Sequence, residues 1–145
     1  MKALLQRVSQ ASVQVGDGTI AAIGPGLVVL LGVARDDTER QAARLAERTL
    51  AARLFPSESH PMDRSVLDVG GEVLAVSQFT LAADTKKGNR PGFATAARAE
   101  VAEPLYDLYC TALAGGGGRV QTGRFGADMQ VSLVNDGPVT IILDA

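Results

Sequence analysis

The chain has 145 residues, with 14 lysines and arginines against 16 aspartates and glutamates, one histidine, one cysteine and a net charge of −2. Its length and 46% hydrophobic composition suit one compact domain, 1–145; a lone Cys110 rules out an intrachain disulfide and fits a reducing cytoplasmic setting. The balanced charge rules out a blanket basic field, so any RNA contact must be local; the longest apolar run, Ile20 to Ala34, is broken by Gly24-Pro25-Gly26 and too short for a membrane span.

Gln6 and Arg7 come too early for the core of a signal peptide. Ala3, Leu5, Ala11, Val13 and Val15 alternate with Gln6, Gln10, Ser12 and Gln14, a period of two that predicts a strand whose apolar face Arg7 interrupts. Gly16-Asp17-Gly18 reads as a turn, Thr19 to Ile23 as a short strand and Leu27 to Val33 as a buried strand, giving an antiparallel meander. Asp36 with Glu39 resembles a capping box; Ala43, Ala46, Leu50 and Leu54 then trace one helical face, opposite a solvated row of Arg40, Arg44 and Arg48. Beyond the loop from Pro56 to Pro61, Glu72 to Leu81 predicts a strand that runs into a polar, basic loop, Asp84 to Arg90. A second helix is predicted across Glu103 to Leu113, with Pro104 tolerated in its first turn, and Gly115 to Gly118 ends it. Met129 to Val134 and Val139 to Leu143 read as two strands around Asn135-Asp136-Gly137-Pro138. The elements sum to an α+β domain of antiparallel strands forming a barrel-like sheet core, with two main helices packed on it.

The chemistry is narrowed by elimination. His60 is the only imidazole and lies in a loop, and Cys110 falls within a helix beside Tyr109, where a buried thiol is inert, so hydrolase triads have little to work with. The carboxylates are scattered, without the pattern of a paired-acid site or a metal cluster. An enzyme built from this chain must use hydroxyls, amides and backbone. Strand alternation puts Gln78 and Thr80 on one face with Leu74 and Val76, and Ser77 and Phe79 on the other; this is either a polar site or a strand leaving the core. Asn135 to Pro138 is, as local chemistry, a hairpin turn. Arg7 either finds backbone carbonyls as acceptors or sits at an exposed edge.

Ser77-Gln78-Phe79-Thr80-Leu81, paired with Asn135-Asp136-Gly137-Pro138-Val139-Thr140, resembles the signature of the D-aminoacyl-tRNA deacylases. The resemblance covers essentially the whole chain and extends to Leu5-Gln6-Arg7-Val8, to Lys87-Gly88-Asn89-Arg90-Pro91 and to Gln121-Thr122-Gly123-Arg124-Phe125; Gly92 departs from it, standing where the family often has Ser. It implies hydrolysis of the ester joining a D-amino acid to the terminal ribose of tRNA, by a homodimer that needs no cofactor or metal. It further implies that Gly137-Pro138 is a cis dipeptide inserted into the partner's pocket, where a rigid backbone wall excludes L side chains and achiral glycine escapes rejection. Each site would then be shared between subunits, with the tRNA's own ribose hydroxyl helping to activate water.

On that resemblance Thr80 and Gln78 become the catalytic candidates, holding the ester carbonyl as its oxygen gains charge. Ser77, Phe79, Gly137 and Pro138 shape chiral selection, and Arg7 pins the Gly-Pro loop. Lys86, Lys87 and Arg90 are placed to take phosphates of the tRNA 3′ end, while Phe125 and Met129 either flank the terminal adenine or belong to the core. A noncatalytic RNA-binding protein and a hydrolase of small free esters remain as competing readings.

Overall fold

A computed structural model describes every residue from 1 to 145. The elements run in the order β1 (Lys2–Val15), β2 (Gly18–Ile23), β3 (Gly26–Gly32), α1 (Glu39–Ala51), β4 (Glu72–Ser77), a 3₁₀ turn (Phe79–Ala82), α2 (Ala99–Gly115), β5 (Arg119–Thr122) and β6 (Gln130–Asp144). All six strands join one sheet in the order β2-β1-β3-β4-β5, with β6 on the other side of β1. The length of β1 organises this arrangement: residues 2–8 pair with β3, residues 11–15 with β2, and nearly the whole strand with β6.

The sheet is mixed, which corrects the expectation of antiparallel strands. β3 pairs with β4, and β4 with β5, in parallel. Parallel neighbours need a crossover, which α1 supplies for the first pair and α2 for the second; residue alternation reports burial but carries no strand direction. β2 leans back toward β5, where the Ala22 N–H donates to Gln121 Oε1 at 2.9 Å, so the sheet curls into a nearly closed barrel.

β3 and β4 are covered on both faces. Leu27, Val29, Leu31, Val73 and Ala75 belong to a large core beneath the helices, with Leu45, Leu50, Leu105 and Tyr109. Val28, Leu74 and Val76 point the other way, into a smaller cluster with Val8, Val13 and Ile23. The few polar groups in the large core are satisfied: the Tyr106 hydroxyl donates to Ala75 O at 2.9 Å, and Tyr109 Oη lies 2.7 Å from Thr49 Oγ1.

Both helices differ from expectation at their starts. Thr38, not Asp36, caps α1, its N–H donating to Gln41 Oε1 at 2.7 Å. The buried stripe is Ala42, Leu45, Ala46, Thr49 and Leu50; Leu54 is buried beyond the helix end. α2 begins at Ala99, so Pro104 stands past the first turn, where its missing N–H forfeits only the bond to Glu100 O.

The ladder between β3 and β4 ends where Ser77 faces Leu31, one residue short of the end of β3 at Gly32. The chain then turns, with Gln78 at φ −142° and ψ 80°. The turn packs onto β3 at Gly32, where a Cβ would stand 2.8 Å from Leu81 Cβ. The expected strand to Leu81 is therefore a strand plus a 3₁₀ turn, and face assignment by alternation fails from Gln78 onward.

Candidate active site

A cleft of about 490 Å³ opens where β4 gives way to this turn. It brings together Ser77, Gln78, Phe79, Phe125 and Met129, five residues singled out from the sequence. Phe125 packs at 6.0 Å from Tyr106 at the core boundary. The Met129 sulfur approaches Gly123 so closely that a Cβ there would lie at 2.8 Å. Both residues thus touch the core and line the cleft.

Thr80 follows Phe79 in the turn and is exposed, but it is not among the residues that line the cleft. Gln78 Nε2 donates to its Oγ1 at 2.5 Å, so the hydroxyl oxygen is an acceptor in this contact and the hydroxyl proton is free to point elsewhere. The first hydrogen bond of the turn runs from Leu81 N–H to Gln78 O at 3.2 Å. The N–H groups of Phe79 and Thr80 precede it and are not consumed by the turn's own ladder. Two amide N–H groups, a carboxamide and a hydroxyl are therefore gathered in one short segment.

Asn135 to Thr140 lies elsewhere and is no hairpin. β6 is continuous, and the segment bulges from it: Val8 pairs with Asn135, while Gln6 already pairs with Thr140. Expecting two strands around a turn missed this because β1 supplies one uninterrupted partner. The base of the bulge is closed by Asn135, whose Nδ2 donates to Thr140 Oγ1 at 3.0 Å and whose Oδ1 accepts from Val139 N–H at 2.8 Å. The Gly137–Pro138 peptide is cis, and Gly137 has φ +152°. Arg7 holds the loop from β1: its Nε donates to Asp136 O at 2.8 Å and its Nη1 to Leu54 O at 2.7 Å.

One chain does not unite the two motifs. Arg7 lies opposite Leu27 on β3 and Ser77 opposite Leu31, positions about 13 Å apart along that strand at ~3.3 Å per residue. No residue of the bulge lines the cleft.

Lys86, Lys87 and Arg90 stand exposed on a loop closed by two backbone hydrogen bonds between Asp84 and Gly92, at 2.8 and 2.9 Å. The loop is tied to the turn where Thr95 Oγ1 donates to Ala82 O at 2.8 Å, but it stays outside the cleft. His60 is exposed, its Nδ1 accepting from Met62 N–H at 3.1 Å. Burial pushes the Cys110 thiol up to about 11, so it remains protonated and unreactive at neutral pH. No three His, Cys, Asp or Glu side chains cluster in a way that would hold a metal ion, and no helix is long and apolar enough to cross a membrane.

Sequence reading passed over the opposite wall, made by Ala97, Ala99 and Ala102 around the start of α2, together with Asp128. The alanines left a faint signal, a run of small residues where a helix approaches a ligand-sized space; Asp128, alone between Ala127 and Met129, left none.

A family model described as D-Tyr-tRNA(Tyr) deacylase matches residues 4–144. The chain is 56% identical over 145 residues to a D-aminoacyl-tRNA deacylase of Roseiflexus sp. (strain RS-1), covering 100% of this chain and 94% of the relative. It is 54% identical over 143 residues to one of Idiomarina loihiensis, with 99% of each chain covered. Among solved structures, one described as c-Myc DNA Unwinding Element Binding Protein superposes with a TM-score of 0.94 at 44% identity, covering 100% of this chain and 99% of that one. A probable eukaryotic D-amino acid tRNA deacylase gives a TM-score of 0.86 at 19% identity, covering 99% and 98% of the two chains, a likeness of fold.

Proposed function

The chain belongs to the D-Tyr-tRNA(Tyr) deacylase family and hydrolyses the ester of D-aminoacyl-tRNA; from that premise we propose that it proofreads chirality at a site shared by two copies, rejecting L-aminoacyl-tRNA at a Gly137–Pro138 wall. The observation that carries this reading is the separation of the two motifs within one chain. A cleft at one end of the sheet and a braced loop at the other complete each other only when a second copy offers its loop to the first copy's cleft.

Surface area supports the pairing. The chain exposes 8146 Å², against roughly 7,000 Å² expected for a monomer of this mass; the excess is of the order that one partner buries in a standard interface. β6 supports it too, as a 15-residue edge strand whose outer side no strand covers and on which Val134 and Ile142 are exposed.

In the reaction, water adds to the ester carbonyl carbon and the ribose oxygen leaves with a proton. The Thr80 hydroxyl, the Gln78 carboxamide and the N–H groups of Phe79 and Thr80 stabilise the intermediate oxyanion, each donor worth about 3 kcal/mol in such a role. Thr80, whose Oγ1 accepts from Gln78, acts in this reading as a donor rather than as a nucleophile, a role that calls for an adjacent activating base. The neighbouring ribose hydroxyl of the tRNA supplies the group that activates water. Phe125 and Met129 flank the terminal adenine, and Lys86, Lys87 and Arg90 meet phosphates of the 3′ end.

A wall that works by exclusion has no means of rejecting glycine, so glycyl-tRNA is a substrate as well. Incubation with D-Tyr-tRNA, L-Tyr-tRNA and Gly-tRNA tests the reading: rapid loss of the first and third with the second spared is expected. Equal rates on the D and L esters overturn the wall.

A further inference from the structure

We propose that a second cleft, adjoining the first, binds the nucleotides that precede the terminal adenosine of the tRNA 3′ strand, with Phe93 as a stacking surface and Arg35 and Arg98 as phosphate partners. This rests on the reading of the first cleft as the site of the ester.

The second cleft has a volume of about 530 Å³ and is lined by Arg35, Phe93, Ala97, Arg98 and Val101, among others, a size that suits a ligand of nucleotide scale. The two clefts share Ala97 as a common wall. They also meet through an aromatic pair: Phe79, which lines the first, and Phe93, which lines the second, have ring centroids 5.0 Å apart at 61°. These rings are 56% and 36% exposed, an unusual display of aromatic surface in a chain with only 4% aromatic residues.

Charge fits the same occupant. Arg35 is braced by one Nη2 donation to Ala94 O, which leaves most of its guanidinium fork available. Arg98 makes no ion pair, and neither does Arg35. The loop bearing Lys86, Lys87 and Arg90 closes at Gly92, immediately before Phe93. Aromatic faces interleaved with unpaired cations are how single-stranded nucleic acid is held without base readout. A strand whose terminal ribose lies in the first cleft must leave it, and the adjoining space is the one furnished for stacking and phosphate.

The test compares D-tyrosyl esters of adenosine and of the trinucleotide CCA, together with binding of uncharged CCA by fluorescence anisotropy. The wild type is expected to favour the trinucleotide ester in kcat/KM. Phe93→Ala and the double variant Arg35→Ala/Arg98→Ala should each cut that preference by about tenfold, the loss of one stacked base, and Phe93→Tyr should restore it. The double variant should also flatten the salt dependence of CCA binding by about 1.4, ~0.7 per phosphate contact. Equal losses on both esters, or an unchanged salt slope, overturn the subsite. A wild type inert toward both esters that still binds CCA through Arg35 and Arg98 overturns the reading of the activity and supports the subsite.

Discussion

The turn after β4 and the bulge in β6 carry the two signature motifs, and they are held by opposite means. The turn is anchored from the sheet interior: β4 is buried between parallel neighbours, Gln78 N–H donates to Leu31 O at 2.8 Å, and Gly32 lets Leu81 settle directly on the backbone. The bulge lies at the sheet edge and is held by polar side chains, chiefly Arg7 from below and Asn135 across its base. Apolar packing fixes the segment proposed to hold the reacting ester. A charged, hydrogen-bonded brace fixes the segment that, in the proposed shared site, offers its backbone to a second copy. The contrast teaches that the two halves of the site are vulnerable to different substitutions.

The largest effect should come from the brace. Arg7→Ala removes two charged donations to carbonyls, worth about 3 kcal/mol together; thermal unfolding should move down by about 10 °C, with D/L selectivity lost in the surviving protein. Unchanged selectivity would show that the bulge needs no brace. Thr80→Ala should lower kcat on D-Tyr-tRNA by about a hundredfold with little change in stability; an unaltered kcat would leave the turn's contribution to its backbone alone. Gly137→Ala introduces a Cβ 2.7 Å from Val139 N at a positive φ, so the bulge must shift, and selectivity in paired D- and L-Tyr-tRNA assays should fall by about tenfold.

Weaker effects sharpen the contrast from outside. With phosphates on Lys86, Lys87 and Arg90, log affinity for tRNA against log salt should have a slope near −2, at ~0.7 per contact; a flat titration would remove that loop from the site. Least of all, Cys110→Ser should leave activity within about twofold, as befits a thiol outside both motifs. The sign of its pH effect is set by burial. A thiol whose folded value is raised from 9.0 to about 11 favours folding below the unfolded value, and that contribution is lost as pH rises through the folded one. Alkaline unfolding near pH 11 should therefore be blunted in the serine variant.

Much of this was legible in the chain. Period-two alternation found β1, and the apolar run found β3, because each is long enough for burial to impress a pattern. The resemblance puts Gln78 and Thr80 forward, but alternation sets them on one strand face, whereas the strand ends at Ser77 and the chain turns at Gln78. The parallel pairs were hidden because direction lives in the connections, here a helix after β3 and another after β4. The Asn135–Thr140 segment was read as a hairpin because Asn, Asp, Gly and Pro encode a local bend, whereas the partner that keeps β6 continuous is β1, over a hundred residues earlier in the chain. Arg7 on an apolar face leaves two readings open, backbone acceptors or an exposed edge, and the carbonyls of Asp136 and Leu54 settle it for the first.

The alanines at Ala97, Ala99 and Ala102 carry a consequence for the range of substrates. Where these three alanines line the cleft they offer only methyls, and Asp128 is the one charged side chain among the lining residues. The dimensions of the alanine wall are set by main chain and cannot be retuned by swinging a side chain aside. A wall of this kind would favour breadth over identity among D-aminoacyl esters, an expectation checked by comparing turnover of D-Tyr-, D-Leu- and D-Ser-tRNA.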